Sequence, residues 1–383
     1  QRLGHRVGVF GTVSHRFPGY SEPAANTTPG LLKLAALLHA MAEAQVDWLA
    51  MEVSSHGLQQ GRLDGIAFDV AVWTNLGRDH LDYHHTVEAY CEAKRRFFSE
   101  LIPASIAAGK APWAIGNAHD AAVVGALDAE LARRWQQRSL WIATDPGRYP
   151  GFGELLSAEA LSLTPSGWQG ELVYRGERRA MRLPLVGRFN VFNALGAAGA
   201  CLCLGERTAE VADALATVPQ VPGRLQGLGG AGKPRVFVDF AHTPEALATV
   251  LEVLRESAPA RLIVVFGAGG DRDPGKRAPM GAAAARFADR IVVTTDNPRS
   301  EDPKLIADAI LAGIPVARQG DTVLELDRRK AVAAAIHGAG ADDLVLVAGK
   351  GHEAYQIIGS SQQHLDDCEL VSDALASWAD PND

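Results

Sequence analysis

The densest concentration of glycine and charge in the sequence is Gly267-Ala268-Gly269-Gly270-Asp271-Arg272-Asp273-Pro274-Gly275-Lys276-Arg277. Glycines let a backbone turn tightly and bring its N–H groups to an anion, and Arg272, Lys276 and Arg277 add positive charge beside them. Other stretches place amides, carboxylates and imidazoles directly after apolar runs: Glu52-Val53-Ser54-Ser55-His56-Gly57, Asn75 to His84, Asp239 to Pro244, Asp296-Asn297-Pro298-Arg299, and Gly349-Lys350-Gly351-His352-Glu353. Each taken singly reads as a solvated loop. The glycine loop and the Asp239, Asp296 and Gly349 stretches, delivered by four strands, point instead to one convergent site.

The elements that must position these groups follow from periodicity. Arg6 to Phe10, Trp48 to Val53 and Val70 to Thr74 read as buried strands, with a helix over Leu31 to Ala44 whose Leu31, Leu34, Leu38 and Met41 share a face. Strands separated by helices imply parallel βαβ units, so the polar stretches should gather along one carboxyl edge of the sheet, where α/β sheets bind ligands. A helix over Val87 to Leu101 carries Tyr90, Lys94 and Phe98 at i, i+4 spacing. Ala118 to Trp135 reads as helical and Leu140 to Ala143 as a strand. Trp168 to Tyr174 and Arg178 to Leu183, punctuated by glycines, read as short antiparallel strands, and Gly187 to Asn193 opens a helix reaching Leu204. Pro219 to Gly232 reads as a linker with its boundary at Pro222-Gly223-Arg224. Beyond it, Arg235 to Asp239, Leu262 to Phe266, Arg290 to Thr295 and Leu344 to Ala348 are strands that each deliver a polar motif, and Glu245 to Glu256 is a helix.

Composition narrows the class. A length of 383 residues suggests two domains, and 47% hydrophobic with 21% charged residues is ordinary for a globular protein. The net charge of −8 argues against general nucleic-acid binding. Cys91, Cys201, Cys203 and Cys368 have no framework spacing, which suits reduced thiols in the cytosol, and no apolar run is long enough to span a bilayer. The chain begins at Gln1 on what reads as the tail of an element, so the natural N-terminus is expected upstream.

The strings MEVSSHGL (Met51 to Leu58), TNLGRDHLDYH (Thr74 to His84), EAYCEAKRRFF (Glu88 to Phe98), VDFAHTP (Val238 to Pro244), FGAGGDRDPGKR (Phe266 to Arg277), DNPR (Asp296 to Arg299) and AGKGHEAYQ (Ala348 to Gln356) resemble the Mur ligase family, and within it the diaminopimelate-adding branch. The resemblance runs in order through the whole chain. It implies a parallel-sheet ATPase-type central α/β domain, N-terminally truncated and with a small antiparallel β addition, over 1–222. A Rossmann-like C-terminal α/β domain would occupy 223–383. It also implies a cytoplasmic enzyme of peptidoglycan precursor synthesis that uses ATP and Mg²⁺. The reaction activates the D-glutamate carboxylate of UDP-N-acetylmuramoyl-L-alanyl-D-glutamate as an acyl phosphate, which the amine of meso-2,6-diaminopimelate attacks; nucleic acid and membrane are not expected partners.

Matched position by position, the resemblance assigns Asn26, Thr27, Thr28, Ser54, Gln60 and Arg62 to the UDP-linked substrate, and Glu52, His80 and a carbamylated Lys94 to metal, with Lys94 and His80 catalytic. Asn193, Arg224 and Asp239 are assigned to ATP. Arg272, Asp296, Asn297, Pro298, Arg299, Gly349 and Glu353 are assigned to diaminopimelate. Rejecting lysine in favour of diaminopimelate calls for a cation left unpaired when the second carboxylate is absent, and the planar fork of Arg299 suits that task. His56, His84 and His85 receive no role. One departure stands out: no G-x-x-x-x-G-K-[ST] phosphate-binding string occurs in the sequence. A polypeptide without that loop is expected not to catalyse the ligation alone. The alternatives are a lysine-adding or folylpolyglutamate-type ligase, or a non-catalytic binding fragment.

Overall fold

In the computed structural model the described residues are 1–77, 80–127, 138–149, 151, 153–164, 167–230, 232–258 and 260–381. The helix expected over Ala118 to Trp135 is seen as Ala121–Ala126, its later part lying outside the described residues, as do 78–79 of the Thr74 to His84 motif. Two compact units divide between Val218 and Pro219. Among the described residues no helix is long and apolar enough to cross a membrane.

In the first unit, Val7–Phe10 pairs in parallel with Trp48–Met51 and antiparallel with Ser14–Phe17, which continues through Gly19 into Tyr20–Pro23. The short hairpin of Ser14–Phe17 and Tyr20–Pro23 had no periodic signal to announce it. The helix Leu31–Glu43 buries Leu34, Leu37 and Met41, while Leu31 is exposed. The buried face therefore runs i, i+3, i+7 from Leu34, and Leu31 lies a turn before it. A second sheet runs in parallel through Val70–Trp73, Trp113–Asn117, Ser139–Ala143 and Glu154–Thr164, then antiparallel through Gly167–Tyr174 and Glu177–Leu183. Helix Arg188–Cys203 packs on it closely enough that a Cβ at Gly199 would stand 2.9 Å from Leu140. The strands before Glu52 and Asn75 were expected in one sheet and are hydrogen-bonded into two. Trp48–Met51 takes Val7–Phe10 as its partner and Val70–Trp73 takes Trp113–Asn117.

The second unit centres on parallel strands Arg235–Asp239, Leu344–Ala348, Leu262–Phe266 and Arg290–Val293, side by side in that order, with Thr322–Leu324 at one edge. The Leu344–Ala348 and Leu262–Phe266 strands are buried along their whole lengths, as parallel strands covered on both faces must be. Part of the expected linker is structured: Gln226–Gly229 forms the opposite edge strand, antiparallel to Arg235–Asp239. Its Gly227 and Gly229 hide a strand from a reading based on side-chain alternation. The four central strands end together, so the Asp239, Gly267, Asp296 and Gly349 loops share one sheet edge. Arg328, wholly buried, ties that edge down. It forms a bidentate pair with Asp367 at 2.8 and 2.7 Å and donates to the carbonyls of Ala348 at 3.0 Å and Thr295 at 3.4 Å.

Candidate active site

The first unit gathers its polar stretches through side chains. Thr28, fully buried, donates to the Glu52 carbonyl at 3.0 Å and accepts the Ser54 N–H at 2.9 Å. Ser54 in turn caps the short helix Ser55–Gln59 by accepting the Gly57 N–H at 3.0 Å. Arg62 donates to the Thr28 carbonyl at 2.8 Å and, through two nitrogens, to Gln60 Oε1 at 2.9 and 2.6 Å. Gln60 donates onward to the Tyr83 hydroxyl at 3.2 Å. Thr28, Ser54, Gln60 and Arg62 thus form one connected network. Thr27 approaches Thr12 at 3.3 Å, and Asn26 is exposed while its carbonyl meets the His15 ring at 3.1 Å.

Glu52 is seated over the turn at Gly11-Thr12. The Thr12 hydroxyl donates to Oε2 at 2.8 Å, and a Cβ at Gly11 would come within 2.7 Å of Oε1. Although their strands lie in different sheets, the Glu52 and Asn75 stretches meet: the His56 ring is 5.0 Å from His80 and 5.5 Å from His84, and His84 lies 2.9 Å from the Ser55 hydroxyl. His80 takes a left-handed backbone (φ 55°) before the turn Leu81–His84, and its ring is 5.9 Å from that of Tyr90. Lys94 Nζ stands 5.1 Å over the same Tyr90 ring, as the i, i+4 spacing requires. The helix changes to a π-turn over Phe97–Leu101 just beyond it. Among the described residues no group of three or more His, Cys, Asp or Glu side chains is arranged to hold a metal ion.

Of the residues expected at ATP, Asn193 lies inside helix Arg188–Cys203, beyond its first turn, and donates to Asn190 Oδ1 at 3.2 Å, so it is not a helix cap. Asp239, in the second unit, accepts the Leu225 N–H at 2.7 Å and the Ala241 N–H at 2.8 Å. Burial pushes its carboxyl up from the ordinary value. It therefore fastens the entering chain to the end of its own strand. Arg224 lies 4.8 Å over the Phe240 ring, which His242 and His352 flank at 4.6 and 5.4 Å. His352 Nδ1 is buried without a hydrogen-bond partner.

The glycine loop and the Asp296 loop are knitted together. Gly270 N–H donates to the Asn297 carbonyl at 2.9 Å, and Arg299 Nη1 to the Gly270 carbonyl at 2.7 Å. Asp271 accepts the Ser300 hydroxyl at 2.6 Å, and its N–H reaches Glu301 at 2.6 Å; Glu301 also pairs with buried Arg277 at 2.8 Å. Arg299 Nη1 would stand 3.0 Å and the Arg272 side chain 3.8 Å from a Cβ at Gly269, so two guanidinium-bearing side chains flank one bare glycine. Arg299 adopts φ +51° and is held by its N–H to Ile357 at 3.1 Å and its carbonyl to Gly359 at 2.6 Å. Buried Asn297 donates to Glu353 Oε2 at 3.0 Å. A Cβ at Gly349 would come 2.8 Å from Asp296 Oδ2, and Pro298 is buried with its carbonyl against Gly270. Asp296, Asn297, Arg299, Gly349 and Glu353 are thus brought together, with Arg272 beside them. Sequence reasoning missed Thr12, Tyr83, Glu301 and Lys350; Lys350, inside a glycine-flanked motif, and Tyr83, inside the Thr74 to His84 string, carried a signal.

Two family models cover the chain: Mur ligase middle domain over residues 1–201 and Mur ligase, glutamate ligase domain over residues 223–351. The chain belongs to the Mur ligase family. Among its relatives, the UDP-N-acetylmuramoyl-L-alanyl-D-glutamate–2,6-diaminopimelate ligase of Parasynechococcus marenigrum is 44% identical, over 98% of this chain and 73% of its own length. The ligase of the same name from Pseudomonas aeruginosa is 42% identical, over 99% of this chain and 74% of its own. A solved structure of that name is 34% identical, with a TM-score of 0.69 over 97% of this chain and 73% of its own. The folylpolyglutamate synthase of Thermotoga maritima, 17% identical with a TM-score of 0.63 over 91% of this chain and 80% of its own, shares the fold.

Proposed function

We propose that this chain belongs to an ATP-dependent acid–amino-acid ligase that adds meso-2,6-diaminopimelate to UDP-N-acetylmuramoyl-L-alanyl-D-glutamate in cytoplasmic peptidoglycan precursor synthesis. The observation that carries the reading is the pair Arg272 and Arg299 flanking Gly269, beside the Asn297–Glu353 contact. The Arg299 guanidinium, with the Arg272 side chain beside the same glycine, suits a carboxylate and Glu353 suits an ammonium, the two groups at the distal end of diaminopimelate. Ser54, Gln60 and Arg62 supply donors for an anionic, hydroxyl-rich acceptor, with buried Thr28 holding their loops in place and Asn26 and Thr27 at the margin. Asn193, Arg224 and Asp239 are proposed for ATP.

The oxygen donors of Glu52 and Thr12 suit a hard cation. Glu52, His80 and a carbamylated Lys94 are proposed to hold Mg²⁺, which would neutralise phosphate charge when bound. A lysine-adding ligase is the second reading, disfavoured because lysine has no second carboxylate, beside its distal amine, for Arg299 to meet.

The test is ligation by the protein as encoded, with any sequence upstream of Gln1, using the UDP-linked dipeptide and ATP. Arg299→Ala should cost about 1.5–3 kcal/mol of transition-state binding, roughly 10- to 150-fold in kcat/KM for diaminopimelate, with Arg299→Lys not restoring it. Unchanged diaminopimelate use, or preferred use of lysine by the unaltered protein, would sink the assignment.

A further inference from the structure

A lysine placed wholly inside a folded unit is costly unless its donors find acceptors, and Lys350 is 0% exposed. Its position is enforced by the backbone. Gly349 and Gly351 on either side have φ +112° and +55°, left-handed values that turn the loop so that the intervening side chain enters the core.

Inside, Nζ meets the polar groups of the amino-acid pocket. It donates to Asn297 Oδ1 at 3.3 Å, lies 3.9 Å from Asp296 Oδ1 and 3.8 Å from Glu353 Oε2, and stands 5.5 Å over the Tyr355 ring. Asn297 is the hub. Its Oδ1 receives both Lys350 and the Ile357 N–H at 3.0 Å, so the NH₂ end is left to face Glu353 Oε2 at 3.0 Å. A side-chain amide can turn over; two donors converging on one end set its sense.

We propose that Lys350 is a positioning residue of the amino-acid pocket, fixing the sense of the Asn297 amide and, through it, the Glu353 carboxylate that receives the ammonium of the incoming amino acid. The inference rests on the amino-acid pocket proposed above. Lys350 does not contact substrate; it acts through Asn297 and by its proximity to both carboxylates.

The experiment is calorimetric titration of meso-2,6-diaminopimelate into the chain and into Lys350→Met and Lys350→Gln, with melting curves to confirm folding. Methionine matches the lysine stem without a donor, whereas glutamine keeps one donor for Asn297 Oδ1. The dissociation constant should rise about tenfold or more in Lys350→Met, with Lys350→Gln falling between that variant and the unaltered chain. A folded Lys350→Met that binds like the unaltered chain overturns the inference, as does Lys350→Gln no better than methionine, the result of a purely packing role. Should Lys350→Met not fold, unweakened binding by Lys350→Gln overturns it. Absence of binding to the unaltered chain instead overturns the pocket itself.

Discussion

His352 shows how a single side chain in this site ties stability to acidity. Burial, with Arg224 adding to it, holds the imidazole below its usual 6.5, with Glu353 pulling the other way. The unfolded chain therefore takes up a proton near pH 6.5 that the folded chain accepts only at lower pH. Between those two values stability falls as pH falls. Replacing the ring with a non-titrating amide, His352→Gln, should flatten this limb. Urea melts from about pH 7.5 to about pH 5 should show the stability difference between unaltered chain and variant shifting against the former on acidification. A difference independent of pH would refute the assignment. At this scale the sequence was legible where a residue sat in a dense motif. Arg299, Asn297 and Glu353 stood out because charge and amide followed apolar runs. Thr12 did not, because a hydroxyl becomes informative only once its distant partner, Glu52, is in place.

The loops are where two motifs become one element. Gly267 to Arg277 and Asp296 to Glu301 share hydrogen bonds from both sides, and a Cβ at Gly270 would overlap the Pro298 carbonyl oxygen. Gly270→Ala should therefore destabilise the chain by about 1–3 kcal/mol in denaturant melts and weaken diaminopimelate binding with it. Gly320→Ala, where a Cβ would meet nothing within 4 Å, is the control and should stay within about 0.5 kcal/mol. Equal behaviour of the two variants would contradict the coupling. The parallel strands were legible from their apolar runs. The edge strand Gln226–Gly229 was not, since its glycines read as linker, and the division of the first unit into two sheets was not, since pairing partners leave no trace in a strand's own composition.

Among the described residues each apolar core cluster stays within one unit, two in the first unit with its two sheets and one about the central sheet of the second. Residues 219–383 produced alone should therefore melt cooperatively by circular dichroism, and a broad, non-cooperative loss of signal would show that this unit depends on the rest of the chain. The order of the motifs made the whole-chain resemblance readable from end to end, whereas Arg328 and Asp367, far from every motif, gave no sign of holding the strand ends together. Their pair has a consequence for ionic strength. Surface pairs such as Arg178–Glu171, half exposed on both sides, weaken as dissolved ions gather around them. A guanidinium–carboxylate pair with neither side chain reaching solvent does not. The floor beneath the Asp296 and Gly349 loops is thus insulated from salt, so a salt dependence of diaminopimelate binding would trace to charges above it, such as exposed Arg272.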